Sequence, residues 1–185
     1  MKAIYLGSGE FGIQCLNALA GSNHQLQLIV TQPAHPAGRG RKNRPTPAAC
    51  WAAGHSADFI ETDNVNHPEV VGRIRGLEPD VIVSVAFGQK IGSELIGLPP
   101  KGAINVHGSL LPRLRGAAPI NWAIINGEGR TGVTIIYLAE KMDAGDILAA
   151  AETDIGADET AGVLSERLSQ MAAPLLIETL DKIAA

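Results

Sequence analysis

Asp80-Val81-Ile82-Val83-Ser84-Val85-Ala86, the run DVIVSVA at residues 80–86, is almost continuously β-branched. A strand with one wet face alternates apolar and polar residues. A run without alternation belongs to a strand covered on both faces, as in parallel sheets flanked by helices. Reading toward the N-terminus, Pro68 to Leu77 has the pattern of a helix, Ala57 to Ile60 of a short strand, and Pro47 to Ala53 of a helix capped by Thr46 with Pro47 at its first position. Before these come a long loop from Gln32 to Pro47, a buried strand from Leu26 to Val30, and a helix from Phe11 to Ala20 with Ile13, Leu16 and Leu19 toward one side. The chain begins with an apolar strand, Lys2 to Leu6, ended by the turn Gly7-Ser8-Gly9-Glu10-Phe11-Gly12.

Reading toward the C-terminus, Ile91 to Ile96 is a short helix, Ala103 to Val106 a strand, and Ala117 to Asn126 a helix closed by Gly127. Thr131 to Leu138 and Ile147 to Glu152 are strands joined by the turn Glu140 to Gly145. Thr160 to Ile183 is a long helix, with a break or kink expected near Pro174. Strand and helix alternate through the first two thirds. This predicts an α/β, Rossmann-like, mostly parallel sheet with helices on both faces, and the last two strands can add an antiparallel edge. No internal repeat or linker divides the chain, so residues 1–185 read as one domain.

The 185 residues are 45% hydrophobic and 18% charged, an ordinary globular composition. No apolar run approaches the roughly 20 residues of a membrane span, and the first residues lack the apolar core of a signal peptide. The two cysteines, Cys15 and Cys50, fall in helix-like stretches and read as reduced, packed thiols, which points to the cytoplasm. No His/Cys cluster has metal-ligand spacing, so no metal is expected. His24, His35, His55 and His67 read as surface or loop residues, and Trp51 and Trp122 as core. The formal charge of −4 is unevenly spread: between Phe11 and Ala57 the only charged residues are Arg39, Arg41, Lys42 and Arg44. A basic, proline- and glycine-flanked loop on an otherwise acidic chain suggests an anionic partner, and phosphate contacts would suit RNA.

Three motifs carry chemistry. Gly7-x-Gly9-x-x-Gly12 follows a strand and opens a helix, the context of a dinucleotide fingerprint. The acidic residue that should hold a ribose at the end of the next strand is missing, because Ile29-Val30-Thr31-Gln32 stands there. Asn105 and His107 stand two apart at a strand end, so their side chains share one face beside Leu110-Leu111-Pro112. Met142-Asp143-Ala144-Gly145-Asp146 joins the last two strands, and a carboxylate there could orient an imidazole.

Together Asn105-Val106-His107-Gly108-Ser109-Leu110-Leu111-Pro112-x-x-Arg115-Gly116 and Met142-Asp143-Ala144-Gly145-Asp146 resemble the formyltransferase family that uses 10-formyltetrahydrofolate, and the likeness spans nearly the whole chain. Within that family, Thr31-Gln32-Pro33 and Pro36-Ala37-Gly38-Arg39-Gly40-Arg41-Lys42 resemble the members that formylate methionyl-tRNA at translation initiation. There the loop enters the acceptor arm, which would make Arg39, Arg41, Lys42 and Arg44 tRNA-binding. The resemblance implies that Asn105, His107 and Asp143 are catalytic. It gives Asn105 and His107 as hydrogen-bond donors to the formyl oxygen, and Asp143 as the group that orients His107 and moves the proton. It implies that Phe87, Gly88 and Gln89, with Ser109, Leu110, Leu111 and Pro112, hold the folate, partly through backbone groups. Members acting on methionyl-tRNA usually carry a C-terminal β-barrel as well, and residues 1–185 are expected to hold the catalytic domain without it. Asp63-Asn64-Val65-Asn66-His67-Pro68 and Asn121-Trp122 with Asn126-Gly127-Glu128 resemble members acting on amino-sugar nucleotides instead. A reading of another class, a folate- or dinucleotide-binding module without transferase activity, is opposed by the intact trio.

Overall fold

A computed structural model describes residues 1–37 and 42–185. Seven strands form one sheet in the order β5-β2-β1-β6-β7-β8-β9. They are β1 (Lys2–Gly7), β2 (Gln25–Thr31), β5 (Phe59–Glu61), β6 (Val81–Val85), β7 (Ala103–His107), β8 (Arg130–Tyr137) and β9 (Ile147–Asp154). The first five named are mutually parallel, and β8 and β9 add an antiparallel edge beside β7. The sheet is therefore the mostly parallel, Rossmann-like one expected.

The run at 80–86 is buried along all of β6, and alternation across the pleat sends its neighbours into two cores. Ala3 and Tyr5 of β1, Val83 and Val85 of β6 and Ile104 and Val106 of β7 pack on the side of α1 (Ile13–Ala20), α2 (Pro47–Gly54) and α6 (Ala161–Ala184). Ile4, Leu6 and Ile82 face the other side, with Val71 and Ile74 of α3 (Pro68–Gly76) and Leu95 of α4 (Ser93–Ile96). A fifth short helix, α5 (Pro119–Ile125), lies between β7 and β8 in the chain.

Helix α6 explains why the expected break at Pro174 does not occur. Leu164, Leu168, Ala172, Leu176 and Leu180 are buried at intervals of four. They form a continuous stripe about 24 Å long at 1.5 Å per residue. Pro174 is exposed, so the carbonyl it leaves without an amide partner faces water, and the packed stripe outweighs the lost bond.

Four further expectations change. The loop from Gln32 to Pro47 contains a short antiparallel pair, β3 (His35–Ala37) with β4 (Lys42–Arg44). Trp122 is 51% exposed rather than core, because α5 turns Ala123, Ile120 and Ile124 inward and leaves Trp122 and Ile125 outside. His24 is buried, with Nδ1 3.4 Å from the Met1 amino group and Nε2 3.2 Å from Asp181 of α6. It closes the gap between the chain start and the last helix. Trp51 is buried as expected, its Nε1 donating to Asn17 Oδ1 at 2.7 Å. Cys15 is fully buried as expected, and burial pushes its thiol up to about 12, whereas Cys50, expected to be packed, lies on the exposed side of α2. Thiolate is the reactive form, so iodoacetamide at pH 8 should label the native chain at Cys50 alone. Mass spectrometry reads the number of adducts. No helix among the described residues is long and apolar enough to cross a membrane.

Candidate active site

Parallel strands end on one side of the sheet, and ligands of open α/β sheets bind outside those carboxyl ends where the strand order reverses. Here the reversal lies between β1 and β6, and the cavity beside it has a volume of about 770 Å³. Its wall includes Phe11, the loop from Ala86 to Ile91, Asn105, His107 and Asp143. Five residues on its wall have left-handed backbone: Ala86 at φ 46°, Gly88 at 78°, Gly116 at 91°, Ala118 at 53° and Asp143 at 48°. Such conformations are costly for residues with a Cβ and persist where packing imposes them, which happens most often at functional sites.

Asn105 and His107 come from β7, one pleat apart, and Asp143 from the turn after β8. The Asp143 carboxylate gathers three groups. Asn105 Nδ2 donates to its Oδ1 at 3.4 Å, and the backbone N–H of Gly116 donates to its Oδ2 at 2.8 Å. His107 Nδ1 lies 3.6 Å from the same Oδ2. The other imidazole nitrogen, Nε2, stands 2.9 Å from the carbonyl oxygen of Leu114, and since a carbonyl only accepts, Nε2 carries the proton. Leu114 has φ 54°. The trio is brought together as expected. Nε2–H is engaged by that carbonyl, and Nδ1 is turned toward Asp143. Nothing in the sequence marks Leu114, because its contribution is a backbone carbonyl.

Phe87, Gly88 and Gln89 line the cavity, but Ser109, Leu110, Leu111 and Pro112 do not. The segment 109–112 is tied to β8 and to its own turn. Thr134 Oγ1 on β8 donates to the Ser109 carbonyl at 2.7 Å and accepts the Leu111 N–H at 3.1 Å, while Ser109 Oγ donates to the Arg113 carbonyl at 2.8 Å. Leu110 packs over Gly132. Ala117 to Ile120, leading into α5, also border the cavity. Gln89 faces the cavity with its amide already bonded to other backbone, so it is not a free ligand contact.

The glycine turn is explained by packing. A Cβ on Gly7 or Gly12 would strike the Tyr5 ring, whose hydroxyl donates to the Gly12 carbonyl at 3.0 Å. The N–H groups of Ser8 and Gly9, which would cradle a pyrophosphate, both donate to the Ala86 carbonyl, at 3.3 and 3.2 Å. Thr31, where a ribose-binding acid would stand, bonds to Ser8 at 3.2 Å and to Thr46 at 2.6 Å in a buried hydroxyl chain. NAD and NADP should accordingly not bind at physiological concentrations. Calorimetry giving a micromolar dissociation constant for either would contradict this.

Arg39 and Arg41 lie outside the described residues. Lys42 belongs to β4, and Arg44, exposed, ends that strand opposite His35. Arg44 borders a shallower groove that also touches Glu10, Pro47 and Trp51. Among the described residues no group of three or more His, Cys, Asp or Glu is placed to hold a metal ion.

An amide, an imidazole and a carboxylate thus meet at the strand ends beside a cavity in the size range of small-molecule sites. The chain belongs to the formyl transferase family, whose model matches residues 1–180. It is 45% identical over its whole length to methionyl-tRNA formyltransferase of Citrifermentans bemidjiense, of which it covers 58%. It is 44% identical to the protein of the same name from Acetivibrio thermocellus, aligning over 99% of this chain and 59% of that one. The chain thus spans somewhat over half the length of these relatives. Among solved structures, phosphoribosylglycinamide formyltransferase from Bacillus halodurans superposes with a TM-score of 0.81 at 25% identity, over 100% of this chain and 96% of that one. Glycinamide ribonucleotide transformylase 1 from Geobacillus kaustophilus gives 0.76, also at 25% identity, over 97% and 95%.

Proposed function

We propose that residues 1–185 form the catalytic domain that transfers the formyl group of 10-formyltetrahydrofolate to the amino group of methionyl-tRNA. The observation that carries the reading is the convergence of Asn105, His107 and Asp143 on one cavity in a chain 45% identical to a methionyl-tRNA formyltransferase. The acceptor amine attacks the formyl carbon, a C–N bond forms, and negative charge gathers on the formyl oxygen. The Asn105 amide, whose second N–H is not needed by Asp143, donates to that oxygen. His107, held by the Leu114 carbonyl, presents Nδ1 from the same side and helps stabilise the same charge. Asp143 accepts the proton shed by the attacking amine and delivers it to the departing folate nitrogen as the old C–N bond breaks, leaving tetrahydrofolate. The wall formed by Phe87 and Gly88 receives the folate ring.

The basic segment Arg39, Arg41, Lys42 and Arg44 grips tRNA phosphate in this reading. Such contacts weaken steeply as salt rises. Arg39→Ala and Arg41→Ala should each lower kcat/KM for methionyl-tRNA by about tenfold or more at low salt, since a charge-assisted contact is worth roughly 1.5–3 kcal/mol. Affinity for the folate should be unchanged. An acceptor reaction indifferent to salt and to both substitutions would favour a small amine acceptor such as an amino-sugar nucleotide.

A further inference from the structure

The loop from Ala86 to Gly92 is one wall of the cavity, and its shape is improbable by itself: Ala86 and Gly88 both have positive φ. Two amide side chains clasp it to the loop from Thr62 to His67. Gln89 Oε1 accepts the Val65 N–H at 2.7 Å, and Gln89 Nε2 donates to the Thr62 carbonyl at 2.7 Å. In the opposite direction, Asn66 Oδ1 accepts the Gly92 N–H at 2.6 Å, and Asn66 Nδ2 donates to the Lys90 carbonyl at 2.9 Å. Each loop thus sends one amide to bond both a donor and an acceptor on the other's backbone.

The partner loop is stiff enough to act as an anchor. Val65 is fully buried. The Thr62 hydroxyl accepts the Asn64 N–H at 3.1 Å and donates to the Asn64 carbonyl at 3.0 Å, and Asn64 Oδ1 accepts the Asn66 N–H at 3.1 Å. A Cβ on Gly92 would lie 2.7 Å from Asn66 Oδ1, so the close approach depends on glycine there. From the other side of the cavity wall, Ser8 Oγ donates to the Phe87 carbonyl at 3.3 Å.

We infer that Gln89 and Asn66 are positioning residues, a two-amide clasp that holds residues 86–92 in the form that receives the ring of the formyl donor. The inference rests on the folate reading proposed for this cavity. It assigns the Asn-Val-Asn segment at 64–66 to donor binding rather than to choice of acceptor. The segment reaches the cavity only through the wall it braces.

The conservative acidic substitutions isolate the clasp, since they keep side-chain volume. Gln89→Glu sets a carboxylate oxygen against the Thr62 carbonyl, and Asn66→Asp sets one against the Lys90 carbonyl. In each case one donor–acceptor bond becomes an oxygen–oxygen repulsion while the other bond survives. Each substitution should raise the dissociation constant for tetrahydrofolate about tenfold or more. With saturating donor, kcat should stay within about threefold and the acceptor KM should not move. Amide hydrogen exchange at residues 87–92 should accelerate. The double variant should lose less than the product of the single losses, because both side chains hold one loop. For Gln89→Glu the defect should shrink as pH falls, since the protonated carboxyl can again donate to the Thr62 carbonyl. Unchanged tetrahydrofolate affinity together with unchanged exchange at 87–92 would overturn the inference. An equal loss of kcat, acceptor affinity and thermal midpoint would overturn it as well, by showing general destabilisation. Failure of the unsubstituted chain to bind tetrahydrofolate would instead bring down the donor reading, and the clasp's proposed purpose with it.

Discussion

Asn105→Ala is expected to lower single-turnover formyl transfer by about 100- to 1000-fold, the usual cost of removing one donor to a developing oxyanion. Tetrahydrofolate affinity should hardly change, because in the proposed mechanism the amide serves the formyl oxygen and not the ring. His107→Ala and Asp143→Ala should each cost about 100-fold or more on the same grounds. Asp143→Asn is the sharper variant. The carboxylate faces Asn105 Nδ2, His107 Nδ1 and the Gly116 N–H, and an amide of the same shape offers one acceptor oxygen and an NH2 group. One of those donors must then face another donor, so the loss should match that of the alanine variant even though no volume is removed. Rapid-quench measurement at saturating donor and acceptor separates this from binding defects. Near-normal turnover in any variant would remove that residue from the mechanism.

Gly145→Ala should be the most damaging single methyl addition near the site. A Cβ there would fall on the backbone carbonyl of Tyr137, and backbone cannot swing away as a side-chain tip can. The same rung carries the Tyr137 N–H to Asp146 carbonyl bond at 3.0 Å, so the turn after β8 must rearrange. Overpacking of this kind costs about 1–3 kcal/mol, which for a domain of this size lowers Tm by roughly 2–12 °C. Asp143 lies two residues away on the same turn, at φ 48°, so catalysis should suffer beyond the stability loss. Gly72→Ala in α3 is the control. A Cβ there meets nothing within 4 Å, and the exchange should stabilise the helix by about 0.4–1 kcal/mol. Calorimetry of both variants, with transfer rates measured well below Tm, tests the contrast.

The parts legible in the sequence were those whose cause is local. A strand buried on both faces must be apolar throughout, so residues 80–86 announced the parallel sheet. Two residues at a period of two share a face, so Asn105 and His107 could be paired before any fold was known. The misread parts depend on partners far away in the chain. The segment Ser109 to Pro112 is tied to Thr134 on β8 by two bonds that its own residues do not announce. His24 gave no periodic signal, and its burial comes from Met1 and Asp181 at the two ends of the chain. Trp122 sits on a seven-residue helix, too short for its buried and exposed faces to be told apart by spacing. The β3–β4 pair was hidden by proline and glycine around it. The clasp of Gln89 and Asn66 bonds to backbone, which every residue has.

Residues 1–185 are proposed to move a formyl group from folate to methionyl-tRNA. The most direct test supplies 10-formyltetrahydrofolate carrying a labelled formyl group to the protein at low salt. Methionyl initiator tRNA and an amino-sugar nucleotide are offered together, and the label is followed by mass spectrometry. The account predicts formylmethionyl-tRNA as the labelled product, with the sugar nucleotide unlabelled. Label on the sugar nucleotide with none on the tRNA, or label on neither, would contradict it.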